Sequence, residues 1–113
     1  MSRQVVDFGT LTIASGQTTS GTLASVIGSG ALVDLTIYGP AALTGTVTVQ
    51  VAPNNNPVSG DWKALQSAGA DVTVPAAKAT TIAASFRALR LVSESSEGAD
   101  RAFRVIGQIA TGD

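Results

Sequence analysis

Apolar and polar residues alternate along most of the chain, and few segments show helical spacing. The clearest alternation covers residues 45–51, which read GTVTVQV. It places Val47, Val49 and Val51 on one face of an extended strand, and such β-branched residues suit a half-buried sheet. Residues 32–38 (LVDLTIY) alternate in the same way. There we predict that Val33, Leu35 and Ile37 share one face, and that Asp34, Thr36 and Tyr38 share the other.

The remaining segments complete an all-β pattern. Strands are predicted around residues 11–13, 22–27, 61–65, 71–74, 86–92 and 101–110. The last strand places Phe103, Val105, Gly107 and Ile109 on one face, and we expect it to pair with the first strand. Turn-forming stretches such as residues 28–30 and 53–57 separate the strands. About eight strands with frequent turns predict one antiparallel β-sandwich or jelly roll that spans residues 1–113.

The amino-acid composition then excludes several classes of function. The chain has 113 residues, 44% hydrophobic and 13% charged, with neither cysteine nor histidine. Disulfides, thiol chemistry and Ser-His catalysis therefore lack their residues. Seven basic residues face eight acidic ones, so no basic surface for nucleic acid is expected. We expect no enzyme, no cofactor and no metal site.

The charges are unevenly placed along the chain. Residues 8–60 contain one charged residue, Asp34, whereas residues 61–113 contain twelve, six of each sign. Soluble monomers usually intersperse charge over the whole surface. Either the hydroxyl-rich first half is soluble without charge, or part of it faces other subunits. Under the second hypothesis, partner contacts are richest in the first half.

No targeting or membrane segment is evident. The opening MSRQVVDFGT has neither an apolar stretch nor a small-residue cleavage site, so we do not expect a secretory signal. The apolar runs are short and interrupted by Gly, Thr or Asp, so no membrane helix is expected. Synthesis in a bacterial cytoplasm is the expectation.

The sequence gives only weak support for any ligand-binding site. The Gly28-Ser29-Gly30 turn precedes a strand rather than a helix, which disfavours a phosphate loop. Residues 54–56 with Asp61 offer oxygen ligands for calcium but only one carboxylate, so a plain loop is favoured. Trp62 and Tyr38 could stack on a sugar ring, which keeps glycan binding open. Residues 94–100 are predicted to form an acidic turn. Arg87, Arg90, Arg101 and Arg104 alternate between faces, and we expect them to form exposed pairs with Glu94, Glu97 and Asp100 of that turn.

Several segments together resemble the short virion proteins of tailed bacteriophages. The likeness rests on LTIASGQTTS at residues 11–20, VTVQV at 47–51, WKAL at 62–65, VTV at 72–74 and FRALRLVS at 86–93. The resemblance implies a β-sandwich structural protein of the virion, such as a capsid decoration (cement) protein, a head fibre or a tail-associated component. The resemblance implies no catalytic motif in this chain. The chain lacks a long attachment arm or coiled coil, which favours decoration over a fibre.

The expected function is therefore capsid decoration through contacts with the major capsid protein or other virion proteins, with the chain as a homo-oligomer such as a trimer. A carbohydrate-binding adhesion module and a head–tail or tail-associated adaptor are the alternatives. Residues 1–8 either extend as an arm to a neighbour or pair within their own sheet. The candidate contact residues are Val5, Val6, Phe8, Tyr38 and Trp62.

Overall fold

The computed structural model describes residues 2–24, 31–54 and 56–111. Within these residues it contains ten strands and one short 3-10 helix. The elements are β1 Ser2–Ile13, β2 Leu23–Ala24, β3 Ala31–Tyr38, β4 Val47–Ala52, the 3-10 helix Ser59–Asp61, β5 Lys63–Ala64, β6 Gln66–Ser67, β7 Ala70–Asp71, β8 Ala79–Phe86, β9 Ala88–Ser93 and β10 Arg101–Thr111. No helix in the described part of the chain is long and apolar enough to cross a membrane.

The strands form two four-stranded antiparallel sheets. Sheet A has the order β1-β10-β3-β8 and sheet B the order β2-β9-β4-β5. The β6–β7 hairpin is an insertion between β5 and β8. Without it, the eight remaining strands follow the order 1-8-3-6 and 2-7-4-5, which is the strand order of a jelly roll. The predicted all-β sandwich is confirmed, and the first and last strands pair along eleven positions.

The core lies between the two sheets and contains mostly Leu, Ile and Val. Phe103 and Val105 of β10 are buried, as the alternation predicted, and so are Val47 and Val49 of β4. The side chain of Ile109 lies outside the described residues. The fully buried positions come from both halves of the sequence, because each sheet combines early and late strands.

A line of bulges crosses sheet A. The pairing of β1 with β10 shifts between Asp7 and Gly9, and Gly9 has φ +81°. In β3 the pairing with β10 places Asp34 and Leu35 opposite Gly107, and Asp34 has φ +51°. The pairing of β3 with β8 shifts at the same level. Bulges increase local twist, so this line bends the sheet across its full width.

The bulge at Asp34 overturns one sequence prediction. A strictly alternating strand would place Val33 on the core face with Leu35 and Ile37. The extra residue reverses the alternation, so Leu32 joins Leu35 and Ile37 in the core cluster. Val33 is buried but lies outside that cluster.

The predicted strand over residues 86–92 is likewise wrong as a single element. Phe86 ends β8 in sheet A, and Ala88 begins β9 in sheet B, so the chain crosses between sheets at Arg87. Of the predicted strand 22–27, the structure describes only β2, and the turn at residues 28–30 lies outside the described residues. Residues 71–74 lie beside β4, where the Val74 N–H donates to the Val47 carbonyl at 3.0 Å.

Candidate interaction surface

The outer face of sheet A is broad and almost neutral. We define the A face as the described side chains that alternate with the core residues of this sheet. They are Val5, Asp7, Thr10 and Thr12 of β1; Ala102, Arg104, Ile106 and Gln108 of β10; Val33, Thr36 and Tyr38 of β3; and Ala79, Thr81, Ala83 and Ser85 of β8. All but two of these residues are uncharged; a further charged residue of the sheet, the exposed Asp34, lies at the β3 bulge between Val33 and Leu35.

The two charges of the A face neutralise each other. Arg104 Nε donates to Asp7 Oδ1 at 3.0 Å, and a second guanidinium nitrogen contacts the other carboxylate oxygen. The bond from Arg104, together with the N–H of Gly9, lowers the pKa of Asp7 from 3.8 to about 2. The same pair raises the pKa of Arg104. A partner that covers this face therefore meets a fork-shaped ion pair rather than an isolated charge.

Large apolar side chains stand out on the A face at two positions. Val5 is 71% exposed and Tyr38 is 46% exposed. They lie on β1 and β3, on either side of β10. Val5 pairs with Gln108 and Tyr38 pairs with Arg104, so the two are offset by four residues along β10. Both were predicted as contact residues, and the structure places both on one accessible surface.

The other three predicted contact residues are not on this surface. Val6 and Phe8 are half-buried and pack against the core cluster. Residues 2–7 pair with β10 of the same chain, which is the second of the two arrangements considered for the N-terminal segment. Trp62 belongs to the opposite side of the sandwich, beside sheet B.

Trp62 stacks on an arginine rather than standing free. The Arg90 guanidinium carbon lies 4.5 Å from the centroid of the Trp62 ring, a cation–π distance. Arg90 Nε also donates to Gln50 Oε1 at 2.8 Å, across the β4–β9 pair. Arg90 therefore covers one face of the indole ring.

A buried carboxylate lies at one end of the sandwich, in the turn that precedes β10. Glu97 is 1% exposed. Its Oε1 accepts from the Thr44 N–H at 2.8 Å and from Arg101 Nε at 2.9 Å. Its Oε2 accepts from the Gly45 N–H at 3.0 Å and from the Ser93 hydroxyl at 2.7 Å. One side chain thus joins the distant residues Thr44 and Gly45 to its near neighbours Ser93 and Arg101.

The main chain of Glu97 extends this cluster. Its N–H donates to the Gln17 carbonyl, and its carbonyl accepts from the Gly16 N–H. Beside it, Asp100 Oδ1 accepts from the Ser15 N–H at 2.8 Å. These bonds fix the loop between β1 and β2 to the turn before β10.

The hydrogen bonds determine the charge state of Glu97. Burial raises the pKa of a carboxyl, but the bonds from Thr44, Ser93, Gly45 and Arg101 outweigh it and lower the pKa of Glu97 from 4.5 to about 2. Both oxygens have two donors each, so the carboxylate is saturated and acts as a structural anchor. A general base needs a free lone pair that faces substrate.

The prediction of an exposed Glu97 in the acidic turn is wrong, since the structure buries its side chain. Its expected pairing with arginine does occur, with Arg101 as the partner. Nothing local distinguishes Glu97 from Glu94, since both lie in the same polar turn. Burial follows from the approach of residues 44–45, which are more than 50 positions away.

The residues considered from sequence as ligands for calcium, and the arginines, also form contacts within the chain. Asp61 Oδ2 accepts from the Val58 N–H at 2.9 Å and from Asn54 Nδ2 at 3.1 Å, and these bonds lower the pKa of Asp61. The carboxylate thus closes its own loop. Among the described residues, no three acidic, histidine or cysteine side chains gather where they could hold a metal ion. Three of the arginines have different partners: Arg90 bonds to Gln50, Arg101 to Glu97 and Arg104 to Asp7.

The neutral first half of the sequence does not form a surface of its own. β1 and β3 alternate with β10 and β8 within sheet A. The A face is therefore neutral because of the outward residues of four strands, two from each half. Comparison with protein-family models, with curated proteins and with solved structures finds no match to this chain.

Proposed function

We propose that the protein is a structural component of a tailed-bacteriophage virion, of the capsid decoration type. It acts by covering the surface of neighbouring subunits and catalyses no reaction. The observation that carries the proposal is the A face: a wide, nearly neutral sheet surface with Val5 and Tyr38 exposed and its single ion pair internally satisfied.

Such a face suits protein contact for a physical reason. Removing unpaired charges from water costs several kcal/mol per ion, whereas threonine, alanine and valine surfaces lose little on burial. Aromatic side chains are enriched at interface cores, and Tyr38 offers one with a polar tip. A standard interface buries about 800 Å² on each partner, and a four-stranded sheet face is broad enough to supply an area of that order.

Two further observations support a virion role. The jelly roll recurs in viral capsid domains, although the fold also occurs in lectins and cupins, so this support is analogy. The resemblance of residues 11–93 to short phage virion proteins agrees with it. The buried carboxylate, Glu97, is saturated by four donors, so it is not available for acid–base catalysis.

Stoichiometry in purified virions tests the proposal. Particles of the phage that carries this gene are purified, and the copy number of the chain is measured by quantitative mass spectrometry against the major capsid protein. Hundreds of copies per particle support decoration. A dozen or fewer indicates an adaptor, and none in the particle refutes a virion role.

Surface variants then test the A face. Particles that lack the chain are incubated with purified wild-type protein, with Val5→Lys/Tyr38→Lys, or with Thr48→Lys on sheet B as the matched control. The double variant should lose at least tenfold in binding, while the control binds like wild type. Circular dichroism checks that all three are folded. Equal binding by the double variant would exclude the A face as the contact surface.

A further inference from the structure

β8 has few of the sequence features that keep an edge strand from pairing with other chains. It is an edge strand of sheet A, has eight residues and reads ATTIAASF, without a charged residue or proline. Proteins block such edges with short strands, charges, bulges or a covering segment. The edge strands β2 and β5 have two residues each, and β1 carries Asp7 and the bulge at Gly9. β8 has only the shift in its pairing with β3 between Ile82 and Ser85.

The β6–β7 hairpin lies beside the middle of this edge. Residues 81–84 of β8 line a cleft of about 180 Å³ together with residues 65–67 and Val72. A strand that pairs with β8 must lie about 5 Å from it in the plane of sheet A. Along residues 81–84 the approach to that position is restricted by the hairpin and its base.

The base of the hairpin is fixed to sheet B. The Leu65 N–H donates to the Val49 carbonyl at 2.9 Å, and the Val49 N–H donates to the Val72 carbonyl at 3.0 Å. The Val72 N–H donates to the Leu65 carbonyl at 2.8 Å, which closes the base. Leu65 and Val72 also pack against the core cluster. These contacts hold the hairpin at a defined place between the edge of sheet B and β8 of sheet A.

Beyond its base, the hairpin buries no side chain. Residues 66–71 are all exposed, and among the described strands β6 and β7 pair only with each other. Gln66 Nε2 also donates to Asp71 Oδ1 at 3.0 Å, which closes the hairpin on itself. Ordering six exposed residues costs conformational entropy that the burial of apolar surface does not offset. The hairpin therefore serves a purpose other than packing the core.

We propose that the β6–β7 hairpin is a cover for the edge of β8, which keeps this strand from pairing with strands of other chains. The cover acts by steric exclusion, since it occupies the approach to residues 81–84. It offers little edge of its own, because β6 and β7 have two residues each. This role does not depend on the proposed virion function.

A chain in which Asn-Gly replaces residues 66–71 tests the cover. The bond from the Val72 N–H to the Leu65 carbonyl is the one that closes a two-residue turn, so the base can stay in place. In sedimentation of purified protein, the shortened chain should associate at concentrations at least tenfold lower than wild type. Six alternating Gly and Ser residues at 66–71, which keep the length but not the paired strands, should have the same effect. Circular dichroism checks that both variants fold.

A charge on β8 should replace the missing cover. Thr81→Lys in the shortened chain should restore the concentration dependence of wild type, since a lysine on an edge strand blocks pairing. Thr12→Lys, on the outer face of the other edge strand of sheet A, is the matched control and should leave the association unchanged. Equal association of the shortened and full-length chains overturns the proposal. So does an association that Thr81→Lys leaves in place or that Thr12→Lys abolishes equally, and so does loss of folding in both hairpin variants, which would make the hairpin part of the stability of the fold.

Discussion

Gly107 of β10 lies so close to Leu35 of β3 that a Cβ atom on Gly107 would overlap with the Leu35 Cδ2 atom. The same added atom would lie 3.0 Å from the Leu35 Cα and 3.3 Å from the Asp34 carbonyl oxygen. This contact is at the bulge, where Asp34 and Leu35 together face Gly107. The bulge pushes the β3 backbone toward β10, and only glycine leaves the space that this approach needs.

Gly107→Ala should therefore destabilise the fold. The added methyl meets backbone as well as a side chain, so neither strand can yield cheaply. We expect a loss of about 2–3 kcal/mol in the free energy of unfolding, as for overpacked cores. Urea denaturation measures it. Gly60→Ala is the control, since no atom lies within 4 Å of its added Cβ, and it should change stability by less than about 0.5 kcal/mol.

Glu97→Gln should destabilise the end of the sandwich. The substitution keeps the shape of the side chain but removes the charge that Arg101 and three other donors share. We expect a loss of about 2–4 kcal/mol, because the arginine and an N–H then lack a good acceptor. Glu94→Gln, in the same turn but exposed, should stay within about 0.5 kcal/mol of wild type in the same urea titration. Equal effects of the two substitutions would contradict the role of Glu97 as an anchor.

Acid should remove the contribution of Glu97 over a defined range. Because its pKa falls from 4.5 to about 2 on folding, the unfolded chain binds more protons between these values, and stability decreases as pH falls. The contribution is complete above pH 4.5 and is lost as pH approaches 2. Urea titrations at several pH values should show a shallower decline for Glu97→Gln than for wild type. The pKa of Asp7 is lowered too, but its pair with Arg104 is exposed and screened by solvent. Asp7→Asn should therefore retain more of the decline than Glu97→Gln does.

Ala68→Asn should stabilise the β6–β7 hairpin. Ala68 and Gly69 have φ of +54° and +83°, the left-handed conformation that type I′ turns require at both central positions. Alanine is strained there, and asparagine tolerates the conformation better. We expect a gain of about 0.5–1 kcal/mol in the free energy of unfolding. Ala70→Asn, one residue beyond the turn, should give no gain, and a gain at both sites would point to a cause other than turn geometry.

The local sequence pattern was sufficient to predict the buried face of a strand where each residue interacts with its immediate neighbours. The alternation of β4 and of Phe103 and Val105 predicted the buried face correctly, because successive side chains of a strand point to opposite sides. The turns and the all-β class followed from the same periodicity. Val5 and Tyr38 were also named as contact residues from sequence, and both are exposed on the A face.

Features that depend on distant segments of the chain were decided only by the tertiary structure. The sequence by itself determined the fold class, the neutral composition and the lack of histidine and cysteine chemistry, since these depend on residue types and short-range spacing. The structure placed the bulge that buries Leu32, the crossover at Arg87 and the burial of Glu97. Each depends on backbone from a distant segment, such as Thr44 beside Glu97 or Gly107 beside Leu35. A local pattern cannot encode these contacts, because the atoms that create them belong to strands that meet only when the two sheets close.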